Sequence, residues 1–319
     1  MKTKHSIPFL VAISCLHASS AFAQDDSLLP SFYGRINLTP VINMPDGDSS
    51  STEVVSNASR IGLQGELPVT GSVKFIYQYE YQINPNKEDF NGRVFTQRNS
   101  WAGISSPLGT LFAGRNDTPM KLLQARIDLF NDMLGDIRTL VVSDNRPNDT
   151  INYVSPALAG FTFSYSAIID GQDSLRDRAT KSTSTALSYT RGSYLFGIAI
   201  DNDVNNPNRT SNDAFRFVGQ YREGDLQLGI LYESSENSAN NRGREDGLFV
   251  STALTRGKLV YKAQTGLSEA RRDGNRQTSL GVDYMVNPDF KWFTFMTATR
   301  ADNRAQRSDQ VGAGMEIRF

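Results

Sequence analysis

The chain has 319 residues, 33 basic and 34 acidic, with a formal net charge of −1 and a mean hydropathy of −0.40. That balance is not a nucleic-acid binder's, and no run beyond residue 23 approaches the ~20 apolar residues of a membrane helix. Cys15, the only cysteine, and both histidines, His5 and His17, lie in the first 23 residues, so the remainder can build no disulfide, no Cys/His zinc site and no histidine-dependent catalytic unit.

The chain opens with Lys2 and Lys4, a short apolar core over Ile7 to Leu16, and Ala21-Phe22-Ala23 before Gln24. This three-part layout reads as a secretory signal peptide over 1–23, cleaved between Ala23 and Gln24, because its core is too short to span a bilayer. A rival reading is cleavage before a lipid-modified Cys15, for which Ala12-Ile13-Ser14-Cys15 is a poor match. Residues 24–319 are expected to form a single domain, with 31 basic against 34 acidic residues.

From there to the end, apolar and polar residues alternate with period two, and helical periodicity is nearly absent. Sixteen strands are predicted, at about 31–40, 58–67, 72–82, 95–105, 109–116, 149–155, 160–169, 184–190, 193–201, 214–222, 225–233, 247–255, 258–267, 278–286, 291–299 and 310–319. In one, Val73, Phe75, Tyr77, Tyr79 and Tyr81 share a face opposite Lys74, Gln78 and Glu80. In the last, Val311, Ala313, Met315, Ile317 and Phe319 oppose Gln310, Gly312, Glu316 and Arg318. Strand pattern alone also fits a β-sandwich. The connections decide against it. Tight Gly/Pro/Asn/Asp turns such as Pro68–Gly71, Thr190–Ser193 and Asn287–Phe290 alternate with longer polar stretches, as in an antiparallel outer-membrane barrel with short turns at one end and long loops at the other. Tyr77, Tyr79, Tyr81, Phe161, Phe163, Trp292, Phe293 and Phe295 are expected on the lipid-facing wall or its aromatic girdles, and Phe32 and Phe319 near the periplasmic girdle.

Several segments in order resemble Gram-negative trimeric general porins. They are Tyr33-Gly34-Arg35, Ser59-Arg60-Ile61-Gly62-Leu63-Gln64-Gly65, and Arg98-Asn99-Ser100-Trp101-Ala102-Gly103-Ile104. They continue with Leu108-Gly109-Thr110-Leu111-Phe112-Ala113-Gly114-Arg115, then Thr118-Pro119, Asn152-Tyr153-Val154-Ser155-Pro156, and the terminal Phe319. The resemblance covers essentially all of 24–319. It implies an all-β, 16-stranded transmembrane β-barrel in the cell outer membrane, a homotrimer, an inward-folded third loop, and passive diffusion of small hydrophilic solutes and ions. It implies no catalysis and no cofactor. Its partners would be outer-membrane lipid, lipopolysaccharide and the outer-membrane assembly machinery, with Met315, Ile317 and Phe319 as the assembly signal.

The third long connection, about 117–148, is the longest, and long connections without strands are usually functional. Thr118 can cap a short helix with Pro119 at its first position, running to Gln124. Inside the barrel, this loop is expected to turn Asp128, Asp132 and Asp136 toward the lumen. The basic wall opposite would be Arg60, Arg98 and Arg115, each on the polar face of its strand, with Arg35 as a fourth. Facing rows of opposite charge would sort ions across a constriction. The plainer alternatives are an external loop, or arginines that only fix the loop through ion pairs. Rival functions are a substrate-selective porin, which aromatic rows along the lumen would support, a barrel enzyme, and a non-conducting adhesin or structural barrel.

Overall fold

The computed structural model describes residues 29–86, 93–124, 127–169, 182–205, 211–237 and 243–319. The expected cleavage position at Ala23 and Gln24 lies outside the described residues.

The strands are β1 (Ser31–Pro45), β2 (Ser51–Ser56), β3 (Arg60–Thr70), β4 (Val73–Ile83), β5 (Phe95–Ser106), β6 (Gly109–Arg115), β7 (Thr150–Val154), β8 (Phe161–Ile168) and β9 (Ser182–Arg191). They continue as β10 (Tyr194–Asn205), β11 (Ser211–Glu223), β12 (Leu226–Asn237), β13 (Arg244–Arg256), β14 (Leu259–Ser268), β15 (Asn275–Met285), β16 (Phe290–Arg300) and β17 (Ser308–Arg318). Apart from β2 and β3, which both pair with β1, each pairs antiparallel with its sequence neighbours. β17 pairs back onto β1, with Ile36 opposite Ile317 and Leu38 opposite Met315, so the sheet closes and leaves no edge. The upper part of β1 pairs with β2 and its lower part with β3. These two pieces are one wall strand interrupted at Asn57–Ser59, where Ala58 has φ +49°. The wall is therefore a 16-stranded antiparallel barrel.

Alternation builds this wall directly. On β15, Arg276, Thr278 and Leu280 are exposed outside while Asn275, Gln277 and Ser279 are buried inside. β17 repeats it, with Val311, Met315 and Ile317 exposed and Gly312 and Glu316 buried. The seam is fastened at the end of the chain. The Gly34 amide donates to the Phe319 carbonyl at 2.8 Å and the Phe319 amide to the Gly34 carbonyl at 3.1 Å. The Phe319 ring lies against Gly34, where an added Cβ would stand 2.7 Å from ring Cε2, so a side chain there would push the ring aside.

The connection between β6 and β7 folds into the barrel and supplies its core. It begins with α1 (Pro119–Leu123), capped by Thr118, whose side chain accepts from the Lys121 amide. Met120, Leu123, Ile127, Ile137, Leu140 and Val141 then pack on inward-facing Ala186, Ala199, Ala214, Val218, Leu231 and Phe249 of β9 to β13. Phe130 and Met133 pack on Val41, Phe293 and Phe295. Phe293 and Phe295 thus point inward, correcting their expected place on the outer wall. β16 is apolar on both faces because the loop covers its inner one, whereas Trp292 is half exposed outside.

Candidate functional site

The loop is held to the wall by polar groups as well as by its apolar face. Arg216, fully buried on β11, donates to Glu233 Oε2 at 3.0 Å, to the Met120 carbonyl at 2.9 Å and to Gln124 Oε1 at 3.3 Å. Glu233 in turn accepts the Val142 amide at 2.9 Å. Gln264 donates to the Gly135 carbonyl at 2.6 Å, Asn275 to the Thr139 carbonyl at 2.6 Å, and Arg271 to the Val141 carbonyl at 2.6 Å. Lys262 bridges Asp283 at 2.8 Å and the Leu129 carbonyl at 3.2 Å, and stands 4.6 Å from the Phe130 ring centre. A backbone without secondary structure can lie in the interior only when its amides and carbonyls are satisfied, and the wall does this. Arg216, Glu233, Lys262 and Gln264 escaped the sequence reading. Their one signal was a charged or polar residue at an inward position of a strand.

Three aspartates four residues apart form the turn that carries the site. Asp128 accepts from the Phe130 and Ile137 amides, both at 3.0 Å. Asp136 accepts from the Asp132 amide at 2.7 Å and the Arg138 amide at 2.8 Å. Both side chains are buried. This corrects the expectation that they face the lumen: they staple the loop to itself, because each carboxylate satisfies two amides that no strand partner reaches. Asp132 differs. It sits at φ +67° in the turn closed by the Met133 amide on the Phe130 carbonyl, and that backbone aims its carboxylate at the wall.

There it meets three guanidinium groups. Arg35 reaches it at 2.6 Å, Arg60 at 3.3 Å and Arg98 at 4.0 Å. Arg35 and Arg60 are directly opposite across β1 and β3, a like-charge pairing that costs stability unless an anion stands between them. Glu80 completes the cluster, 3.5 Å from Arg60 and 2.7 Å from Arg98, and also accepts from the Tyr33 hydroxyl at 3.2 Å. Glu316 lies 3.9 Å from Arg35 but is claimed at 2.6 Å by Arg318. Burial alone would push the Asp132 carboxyl up. The surrounding guanidiniums of Arg35, Arg98 and Arg60 outweigh it and hold the group below the usual carboxylate range.

Arg115 is not in this cluster. It bonds Asn148 and neighbours a second group, in which Asp117 takes Arg146 at 2.9 Å and Lys121 at 3.2 Å, and Lys121 also meets Asp144 at 3.0 Å. Arg138 is exposed on the loop and makes no ion pair among the described residues. Among the described residues of the loop, Asp132 is thus a fully engaged carboxylate and Arg138 an exposed guanidinium with no ion pair.

A model described as Gram-negative porin matches residues 10–306. The outer membrane protein YedS of Escherichia coli is 24% identical over 220 residues, which is 69% of this chain and 57% of that protein, so the chain spans a little over half the length of this curated relative. Among solved structures, an anion-selective porin from Comamonas acidovorans superposes with a TM-score of 0.79 at 16% identity, covering 91% of this chain and 99% of that one. OmpF of Salmonella typhi, solved with daunomycin, gives 0.71 at 14% identity over 92% and 98% of the two chains. A trimer form of Vibrio cholerae OmpT gives 0.63 at 14% over 91% and 99%. At these identities the likeness is one of fold.

Proposed function

The chain belongs to the Gram-negative porin family, and from that premise we propose that it forms a water-filled outer-membrane channel for passive diffusion of small hydrophilic solutes and ions, with a preference for anions. Family and fold point to a channel rather than an enzyme. The observation that carries the anion preference is the charge balance at the loop. Arg35, Arg60 and Arg98 face Asp132 and Glu80, with Glu316 at 3.9 Å from Arg35 shared with Arg318, while Asp128 and Asp136 are turned into the loop and Arg138 has no ion-pair partner among the described residues. In a narrow lumen the spacing between charges is within the ~8 Å screening length of physiological salt, so an excess guanidinium is felt by a passing ion. The fold relative from Comamonas acidovorans is anion-selective, which agrees with this reading.

The remaining parts of the proposal follow the family. The chain is exported by a signal cleaved at Ala23, assembles as a homotrimer in contact with outer-membrane lipid and lipopolysaccharide, and uses the outward-facing Met315, Ile317 and Phe319 for recognition by the assembly machinery. Phe293 and Phe295, the inward aromatics of β16, are covered by the loop and so form no row open to the lumen. Single-channel recording of the purified protein tests the proposal. Conductance steps, with a reversal potential of anionic sign in a salt gradient, are expected. A silent but folded barrel would contradict it.

A further inference from the structure

The wall strand built from β2 and β3 carries one residue more than its partner β1. Leu38 pairs with Ser56 and Arg35 with Arg60, so Ile36 and Asn37 stand opposite Asn57, Ala58 and Ser59. An extra residue on one strand of an antiparallel pair is a β-bulge, which bends the strand and re-aims what it carries. Ala58 takes it up at φ +49°, a conformation that residues with a side chain rarely adopt. The Asn57 amide still donates to the Asn37 carbonyl at 3.0 Å, and the Ser59 carbonyl still accepts from the Ile83 amide at 2.7 Å. The Asn57 and Ala58 carbonyls accept no backbone amide among the described residues. Both accept instead from Arg35 Nη2, at 2.8 Å and 3.2 Å, and the same nitrogen reaches Asp132 at 2.6 Å.

A buried polar network holds the bulge in this shape. Asn57 Nδ2 donates to Asn37 Oδ1 at 2.8 Å and to Thr39 Oγ1 at 2.6 Å, and the Asn37 amide donates to Ser59 Oγ at 3.0 Å. All four residues are buried. Asn37 Nδ2 then donates to Glu316 Oε2 at 2.8 Å. That oxygen is the one that faces Arg35, 3.9 Å from Nη1. Two carboxylates therefore compete for Arg35, and the network favours one of them. The bulge carbonyls hold the guanidinium at Asp132, while Asn37 occupies the Glu316 oxygen that would otherwise take it. Arg60, directly opposite Arg35 in register, repels it toward Glu316, so the carbonyls act against a standing push.

We propose that Asn57, with Asn37 behind it, is a positioning residue for ion selection: it keeps the two bulge carbonyls aimed at Arg35 and so fixes that guanidinium at the loop rather than at Glu316. The inference rests on the channel reading above and deepens it. Neither asparagine need touch a passing ion. When the network is broken, Arg35 turns to Glu316, Asp132 keeps only Arg60 and Arg98, and the lumen beside the loop becomes less basic.

The test is the reversal potential of single channels of the purified protein in a potassium chloride gradient. Wild type is compared with Asn57→Ala, Ala58→Val, Ala58→Gly, Arg35→Gln, and Asn57→Ala combined with Arg35→Gln. Asn57→Ala removes the brace, and Ala58→Val puts a branched side chain at positive φ. Each should lower the chloride-to-potassium permeability ratio by about twofold, a part of what a whole unit charge is worth at close range. Ala58→Gly adopts that φ freely and should match wild type. In the Arg35→Gln background, Asn57→Ala should change nothing further. A wild-type ratio in conducting Asn57→Ala channels would overturn the proposal. An equal shift with and without Arg35 would show a general disturbance of the wall and overturn it as well. If Asn57→Ala and Ala58→Val give no folded barrel while Ala58→Gly does, the network serves wall closure rather than the placement of Arg35, and the positioning role fails. Silent wild-type protein would instead overturn the channel reading, which keeps the two failures apart.

Discussion

Asp132 and Arg35, 97 residues apart in the chain, meet at 2.6 Å and join the loop to the wall beside the barrel seam. Arg60 and Arg98 share the same carboxylate. Asp132→Asn leaves their charge uncompensated, while Arg35→Gln removes one unit. A unit charge about 4 Å from an ion in water is worth about 1 kcal/mol, or roughly fivefold in permeability ratio. Asp132→Asn should therefore shift the reversal potential further toward anions, and Arg35→Gln should shift it toward cations. Equal shifts in one direction would show that loop displacement, not charge, dominates.

The loop should also depend on its apolar seat. Phe130 is fully buried and meets Phe295 edge-on, with ring centres 6.3 Å apart. Phe130→Ala should cost about 3–5 kcal/mol of loop docking without opening the strand pairing around the wall. Limited proteolysis should then cut within 117–148 in a barrel that stays intact, and channel recordings should become larger or noisier.

Much of this architecture was legible beforehand. Alternation located all sixteen wall strands, and Thr118-Pro119 located the short helix, because each depends on local spacing. The extension of the second wall strand over Ser51–Ser56 was missed, since the break at Asn57–Ser59 resembles a turn. The roles of the three aspartates were not legible. Asp128, Asp132 and Asp136 have the same spacing and chemistry, and only the turn at positive φ decides which one reaches the arginines. Phe293 and Phe295 were misplaced because nothing in β16 itself announces that its inner face is covered.

Arg216 offers a separate test of how the loop is anchored. Arg216→Met leaves Glu233 buried without a cation and should destabilise by about 3–5 kcal/mol. Adding Glu233→Met should recover much of that loss, because the uncompensated charge is gone. Heat-unfolding in detergent reads both. Additive losses would show that the two residues act independently.

Acidity should act on the loop in two stages. Burial pushes the Asp128 carboxyl up to about 6, against the hydrogen bonds it accepts from Ile137, Phe130 and Gln264, and burial beside Asp128 and Asp144 raises Asp136 as well. Asp132 is held low. The folded chain thus holds the Asp128 proton more tightly than an unfolded one, so this group favours folding increasingly as pH falls from about 6 toward 3.8. The stability contributed by Asp132 is present above the ordinary carboxylate range and is lost only as pH falls through its lowered value. Anion preference should therefore rise as pH falls through about 6, and Asp128→Asn should flatten that step. A titration that begins only in the ordinary carboxylate range would contradict the assignment.

The central claim is a channel whose loop leaves a basic excess in the lumen. Its most direct test is the zero-current potential of single channels of the purified protein under a potassium chloride gradient at neutral pH. The account predicts stepwise conductance with a potential of chloride sign. A potential of potassium sign would contradict the charge assignment, and an absence of steps from folded protein would contradict the channel itself.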